Sequence, residues 1–208
     1  MNRLRHALHP SDRPADAGLS LAELLVYMVL SGIVLAIVGT LLVTTLVTQR
    51  DVRAQATASS AAQVVLTDME NALRNAVSVR TPSSFDGNLL VVKTRIADSD
   101  ADSSFTCRGW YLDPATGRIL TVRGAPGSTA PTRGLTTGSD FSRWAVALED
   151  VRRSTVTASP APVFTAEGAT GAHIRFEVLD GEDGSSLTIT SAAIPRAQGT
   201  STGSTSCF

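Results

Sequence analysis

Between Leu24 and Val47 the chain carries no Lys, Arg, Asp, Glu or His over 24 consecutive residues. At about 1.5 Å of rise per residue such a helix is roughly 36 Å long, enough to cross a hydrocarbon core of about 30 Å. The run predicts a transmembrane helix over about residues 24–47. A secretory signal peptide is the competing reading, and "RAQA" at residues 53–56 imitates its cleavage site. The apolar region of a signal peptide is about 7–15 residues, so the length of this run favours a span.

A different pattern follows. Ala62, Val65, Leu66, Met69, Leu73, Ala76 and Val77 recur at spacings of three and four, the mark of one helical face. Asp68, Glu70, Asn71, Arg74 and Asn75 fill the other side. No helix breaker lies between Val47 and Ala62, and Pro82 supplies a stop. The expectation is one helix from about Leu19 to Val79, on the order of 90 Å long. Its first half is apolar all round. Its second half needs a partner surface.

Beyond Pro82 the period changes from helical to strand-like. "NLLVVKTRI" predicts a strand, and "FTCRGWYL", "DPATG" and "RILTV" predict a hairpin closed by turn residues. "WAVAL" is a short strand or a helix start. "HIRFEVL" alternates, with Ile174, Phe176 and Val178 on one face and Arg175 and Glu177 on the other. "DGEDGS" is a turn, and "SLTITSAAI" returns. "GAPGSTAPTRGLTTGS" is a long loop and "QGTSTGSTS" a flexible tail. The fold class is α+β: a long N-terminal transmembrane and amphipathic helix packed on a C-terminal antiparallel sheet. The divisions are a polar, Arg-bearing leader over 1–18, the helix over 19–80, and the β domain over 81–208.

Composition changes this picture little. The chain has 208 residues, 43% hydrophobic and 18% charged, with a net charge of −1. That excludes the disordered class and singles out no partner by bulk charge. Flanking charge does matter. Arg3, Arg5 and Arg13 precede the span, and Arg50 and Arg53 follow it. This bias places the N-terminus in the cytoplasm and the β domain outside it. Cys107 and Cys207, the two cysteines, suit that compartment. A disulfide joining the tail to a strand is expected, with free buried cysteines as the alternative. No C-x-x-C, zinc pattern, phosphate loop or G-x-S-x-G motif is present, and His173 is the single histidine after the leader. Enzymatic activity is not expected.

The residues that begin the span carry the most specific signal. Gly18, Leu19, Ser20, Leu21, Ala22 and Glu23 stand directly before the apolar run. Ser20 and Glu23 alone make S-x-x-E, a capping box that would satisfy free N–H groups at a helix start. A carboxylate there also suits the positive end of the helix dipole. Capping accounts neither for the preceding Gly nor for the span that follows.

The whole stretch resembles the cleavage and methylation signature of type IV prepilins and type II secretion pseudopilins. In that family the pattern is Gly, a hydrophobic residue, Thr or Ser, an aliphatic residue, any residue, then Glu. The resemblance implies cleavage by prepilin peptidase after Gly18 and N-methylation of Leu19. It also implies pairing of Glu23 with the free amine of a neighbouring subunit. Leu19 replaces the commoner Phe or Met, and Asp16 departs from leaders that stay basic up to the Gly. Resemblance is strong over about residues 13–50. Beyond them, the order of "CRGWYLDPATGRIL", "ALEDV", "IRFEVLD" and "IPRAQ" looks like J-type minor pseudopilins and W-type minor pilins. The implied function is a structural subunit at or near the tip of a pilus or pseudopilus. Its partners would be other subunits, the inner-membrane assembly platform and membrane lipid.

Two further features are weighed against this reading. Asp98, Asp100 and Asp102 form D-x-D-x-D, compatible with calcium ligation, as are the acids of "DGEDG", and some pseudopilins bind calcium. Ser103 stands where a calcium loop wants Gly, which favours a solvated acidic loop. Gly32 and Gly39 within the span read as sites of close helix packing. Two rival functions stay open: a filament-borne adhesin or DNA-binding pilin, and a single-span anchored domain that does not polymerise. Residues 81–208 hold 11 Lys and Arg against 13 Asp and Glu, a net of −2, which disfavours DNA. Residues 118–153 are locally positive, with six Arg against three acids.

Overall fold

The computed structural model describes residues 20–96, 104–155, 160–168, 171–180, 185–195 and 207–208. The class is α+β. Helix α1 runs over Leu21–Arg74, and among the described residues nine strands follow it. The chain divides into two compact units, Met1–Thr48 and Gln49–Phe208.

Within the first unit, α1 is exposed at every described position. No residue of its apolar window is buried by protein, and its mean hydropathy there is 2.5. Its serine and threonine hydroxyls bond back onto the helix. Ser31 donates to the Met28 carbonyl at 3.0 Å, Thr40 to Ala36 at 2.6 Å, and Thr45 to Leu41 at 2.7 Å. Donors so satisfied can enter hydrocarbon without the cost of an unpaired polar group.

In the second unit, α1 buries Ala62, Val65, Met69 and Leu73 of the expected face, with Leu66 half-buried, and adds Ala72. These residues join Leu90, Val92, Trp110, Leu112, Ile119, Ile174 and Phe176 in one core. Two flanking contacts fix the helix against the strands. Asp68 pairs with Arg108, and the Ser191 hydroxyl donates to Glu70 at 2.6 Å.

The helix ends earlier than its periodicity suggests. Ala76–Arg80 forms strand β1 rather than the last helical turn. The β-branched Val77 and Val79 favour a strand, and β1 finds its partner in β2, Leu89–Arg95. Arg95 also donates to the Asn75 carbonyl at 2.9 Å, tying down the helix end. The helix expected to reach about residue 79 therefore stops at Arg74.

Two sheets replace the single one expected. The first has the order β1-β2-β3-β4-β5, with β3 over Phe105–Asp113, β4 over Arg118–Arg123 and β5 over Ala145–Leu148. All its pairings are antiparallel. The second centres on β8, Gly171–Asp180. β9, Ser185–Ala193, pairs along one side of it. β6, Val151–Arg152, and β7, Phe164–Glu167, pair with separate stretches of β8. Because β9 takes one side of β8 throughout, β6 and β7 share the other.

The first sheet is buried on both faces, which explains its strongest strand. Leu90 and Val92 of β2 point into the core with α1. Leu89 and Val91 point the opposite way, into a second cluster with Phe85, Cys107, Trp144 and Cys207. A strand covered on two sides reads as a continuous apolar run, as "LLVV" does.

The crossing between sheets carries a buried carboxylate. Glu177 on β8 is 2% exposed. Its Oε2 accepts Arg152 Nε at 2.9 Å, and its Oε1 accepts the Ser154 hydroxyl at 3.0 Å and the Thr155 N–H at 2.8 Å. Burial alone would raise its pKa. The Thr155 N–H, Arg152 and Ser154 donors outweigh it and hold the carboxyl below its ordinary value. A lowered folded-state pKa gives stability that is full above the unfolded value and fades as pH falls through the folded one. Glu177→Gln should therefore cost about 2–3 kcal/mol at pH 7. The gap to wild type should narrow below about pH 4.5. Urea melts of the full chain in detergent, followed by tryptophan fluorescence, would read both effects; a gap independent of pH would overturn the assignment.

Candidate functional site

The sequence places its candidate residues in three regions, each described by itself. The first is the start of α1. Gly18 and Leu19 lie outside the described residues. Ser20 stands just before the helix and caps it: its hydroxyl oxygen accepts the Glu23 N–H at 3.2 Å. The Ser20 carbonyl also accepts the N–H groups of Glu23, at 3.0 Å, and Leu24, at 3.2 Å. Glu23 sits in the first turn and is exposed. The serine half of the capping box is thus present, and the carboxylate lies where the helix dipole favours it. A Cβ added at Gly32 or Gly39 would meet nothing within 4 Å, so both glycines leave open surface on the helix.

The second region is the pair of cysteines. Cys107 on β3 and Cys207 are joined by a disulfide with a Cα–Cα distance of 5.6 Å. Both are buried, in the cluster on the outer face of the first sheet. The Thr132 hydroxyl donates to the Cys207 carbonyl at 3.0 Å, and the Arg80 guanidinium lies 5.6 Å from the Phe208 ring centre. The chain end and the loop after β4 therefore cover this face together.

The third region comprises the acidic candidates. Asp98, Asp100 and Asp102 lie outside the described residues, as do Glu182 and Asp183. Among the described residues no group of three or more His, Cys, Asp or Glu could hold a metal ion. His173 lies on β8, where its Nε2 is 2.8 Å from a Glu167 oxygen, and both side chains are about half exposed. In the locally positive stretch, Arg118 pairs with Glu149, Arg152 with Glu177, and Arg153 with Asp86. Half of its six arginines are thus neutralised locally.

Sequence reasoning missed an aromatic cluster beside the disulfide. Tyr111 and Phe141 stack with ring centres 4.1 Å apart, and Phe141 meets Trp144 edge-on at 5.0 Å. Trp144 is seated on Gly109 of β3, where a Cβ would lie 2.6 Å from the indole. The available signal was a glycine in the middle of a strand, which marks a close approach.

Comparison with protein-family models, with curated proteins and with solved structures finds no match in any of the three.

The disulfide yields a direct prediction. Closing a loop of 100 residues stabilises by up to about 4.7 kcal/mol in the chain-entropy model. Cys207→Ser should lower stability by about 3–5 kcal/mol. Peptide mapping without reductant should recover the peptides of Cys107 and Cys207 joined in the native chain. Free thiols at both positions in exported protein would contradict the pairing.

Proposed function

We propose that the chain is a minor pilin or pseudopilin, most like the J-type and W-type subunits, made as a prepilin and assembled at or near a filament tip. One juxtaposition carries the reading. A Gly-Leu-Ser-Leu-Ala-Glu stretch runs into the first turn of a helix whose next 24 residues are uncharged and exposed on every side. Two observations support it. The second half of that helix buries one face under antiparallel strands, and the chain end is held by a disulfide suited to an oxidising compartment.

On this reading the N-terminus begins in the cytoplasm and the β domain lies beyond the membrane. Prepilin peptidase removes residues 1–18. The assembly platform then lifts the span from lipid into the filament, among the helices of other subunits. The protein performs no chemistry and is itself a substrate. The carboxylate of Glu23 costs little at the membrane edge, where water and headgroups reach it. Among apolar helices an unpaired charge would cost several kcal/mol. Cleavage after Gly18 creates an amine at Leu19, and the amine of a neighbouring subunit offsets that cost.

Processing and assembly are tested separately. The mature chain should begin at Leu19, methylated on nitrogen, by mass spectrometry of membrane extracts. An intact Met1 terminus in cells with active prepilin peptidase would sink the family reading. Glu23→Leu and Glu23→Gln should both be inserted and cleaved, yet be depleted by about tenfold or more from sheared filaments, the ratio that loss of one charged pair of roughly 1.4 kcal/mol gives. Wild-type recovery of both variants would reduce Glu23 to a helix cap. A cleaved chain that never enters filaments would favour the single-span anchored domain.

A further inference from the structure

A depression of about 470 Å³ opens on the outer side of the first sheet, between the β3–β4 hairpin and the irregular segment that leads into β5. Its size falls within the range of ligand sites, roughly 300–1,000 Å³. Seven of its twelve lining residues are polar or charged, which argues against a lipid or an apolar helix as occupant. The other walls are aromatic and aliphatic, with the half-buried Tyr111 and Phe141 foremost and the buried Trp144 edge-on to Phe141. An occupant must therefore combine many hydroxyl-type donors and acceptors with an apolar surface.

The charges narrow this further. Asp113 and Asp140 both line the depression. Asp113 accepts the Ala115 N–H at 3.0 Å and the Thr116 hydroxyl at 2.6 Å. Asp140 accepts the Ser142 N–H at 2.8 Å and the Ser142 hydroxyl at 2.9 Å. A carboxylate has about four lone-pair sites, so each keeps acceptor capacity beyond these bonds. The Ser142 N–H and hydroxyl hold the Asp140 carboxyl below its usual pKa, against a small opposing effect of burial, so it stays ionised. Two fixed anions repel phosphates and acidic sugars. Arg118, anchored 3.0 Å from Glu149, lines the same space and disfavours a cation. Burial, then Asp113, raises the pKa of Tyr111, which keeps the phenol protonated as a donor.

We infer that this depression is a binding site for a neutral saccharide, whose C–H surface packs on the aromatic wall and whose hydroxyls donate to Asp113 and Asp140. The inference is independent of filament assembly and would hold equally for an anchored domain. A ligand of about a dozen heavy atoms at ordinary ligand efficiency binds with Kd of roughly 1 mM.

The test uses the full chain in a sugar-free zwitterionic detergent. The probes are methyl glycosides of glucose, galactose, mannose and N-acetylglucosamine, with N-acetylneuraminic acid and arginine amide as charged comparisons. Saturation-transfer NMR should show at least one neutral glycoside bound at low millimolar concentration, with a shift in tryptophan emission that Trp144→Phe removes. Asp113→Asn or Asp140→Asn should weaken it about tenfold, the loss expected for a charge-assisted hydrogen bond. Asn can still accept the local N–H at either turn, so the loop keeps its anchor. The inference is overturned if no neutral glycoside binds below about 20 mM, roughly twentyfold above the expected Kd. It is equally overturned if binding survives both substitutions unchanged, or if either charged comparison binds more tightly than every neutral glycoside.

Discussion

Burial of one face of α1, from Ala62 to Leu73, is the interaction on which the β domain depends. Fully burying a Met or Leu side chain contributes roughly 1.5–3 kcal/mol, whereas exposed ion pairs contribute about 0–1 kcal/mol. Met69 and Leu73 are completely buried and touch a core that draws on both sheets. The polar contacts at its borders act differently. Asp68 meets Arg108 on the first sheet, and Glu70 meets Ser191 on the second. They add little energy and select which helical turn faces which strand. Position and cohesion thus come from different residues on the same helix.

That helix also explains why the sequence could be read so far. Its exposed, uncharged segment and its one-sided segment differ in how charge is distributed around the axis, and periodicity detects that difference directly. The β3–β4 hairpin and the β8–β9 pair were legible for similar reasons, with turn residues between alternating runs. The disulfide was legible from compartment and cysteine number, not from any local pattern. Glu23 and Ser20 were legible as a cap because capping is a contact between residues three apart.

What escaped the sequence depends on distant partners. Ala76 and Val77 continue the apolar spacing of α1, yet they form a strand because β2 offers an open edge. A local period cannot show that competition. β6 has two residues and β7 four, too short for alternation to register. Both exist because β8 is long enough to pair with each in turn. The buried setting of Glu177 also depends on distant partners, since Arg152, Ser154 and Thr155 are more than 20 residues away. In sequence, that glutamate looked like the polar side of an alternating strand. Its burial appears only once the crossing segment lies over it.

The outer face of the first sheet shows the same logic at larger scale. Leu89 and Val91 alternate with Leu90 and Val92, so β2 demands cover on both sides. One side receives α1. Among the described residues no second α-helix covers the other, and largely irregular chain, with Phe85 of a short 3-10 turn, does so. Irregular chain cannot satisfy its own backbone groups as a helix does, so it brings polar side chains and local turns with it. Thr132 reaches the chain end, Ser139 accepts the Thr136 N–H, and Asp140 holds Ser142. Phe141 and Trp144 anchor the segment by stacking on Tyr111 and by seating on Gly109. The disulfide fastens the chain end where few regular hydrogen bonds could. A polar depression with an aromatic wall is the natural product of such a cover. The demand of one strand for burial on two faces therefore accounts for the staple, the loop and the cavity together.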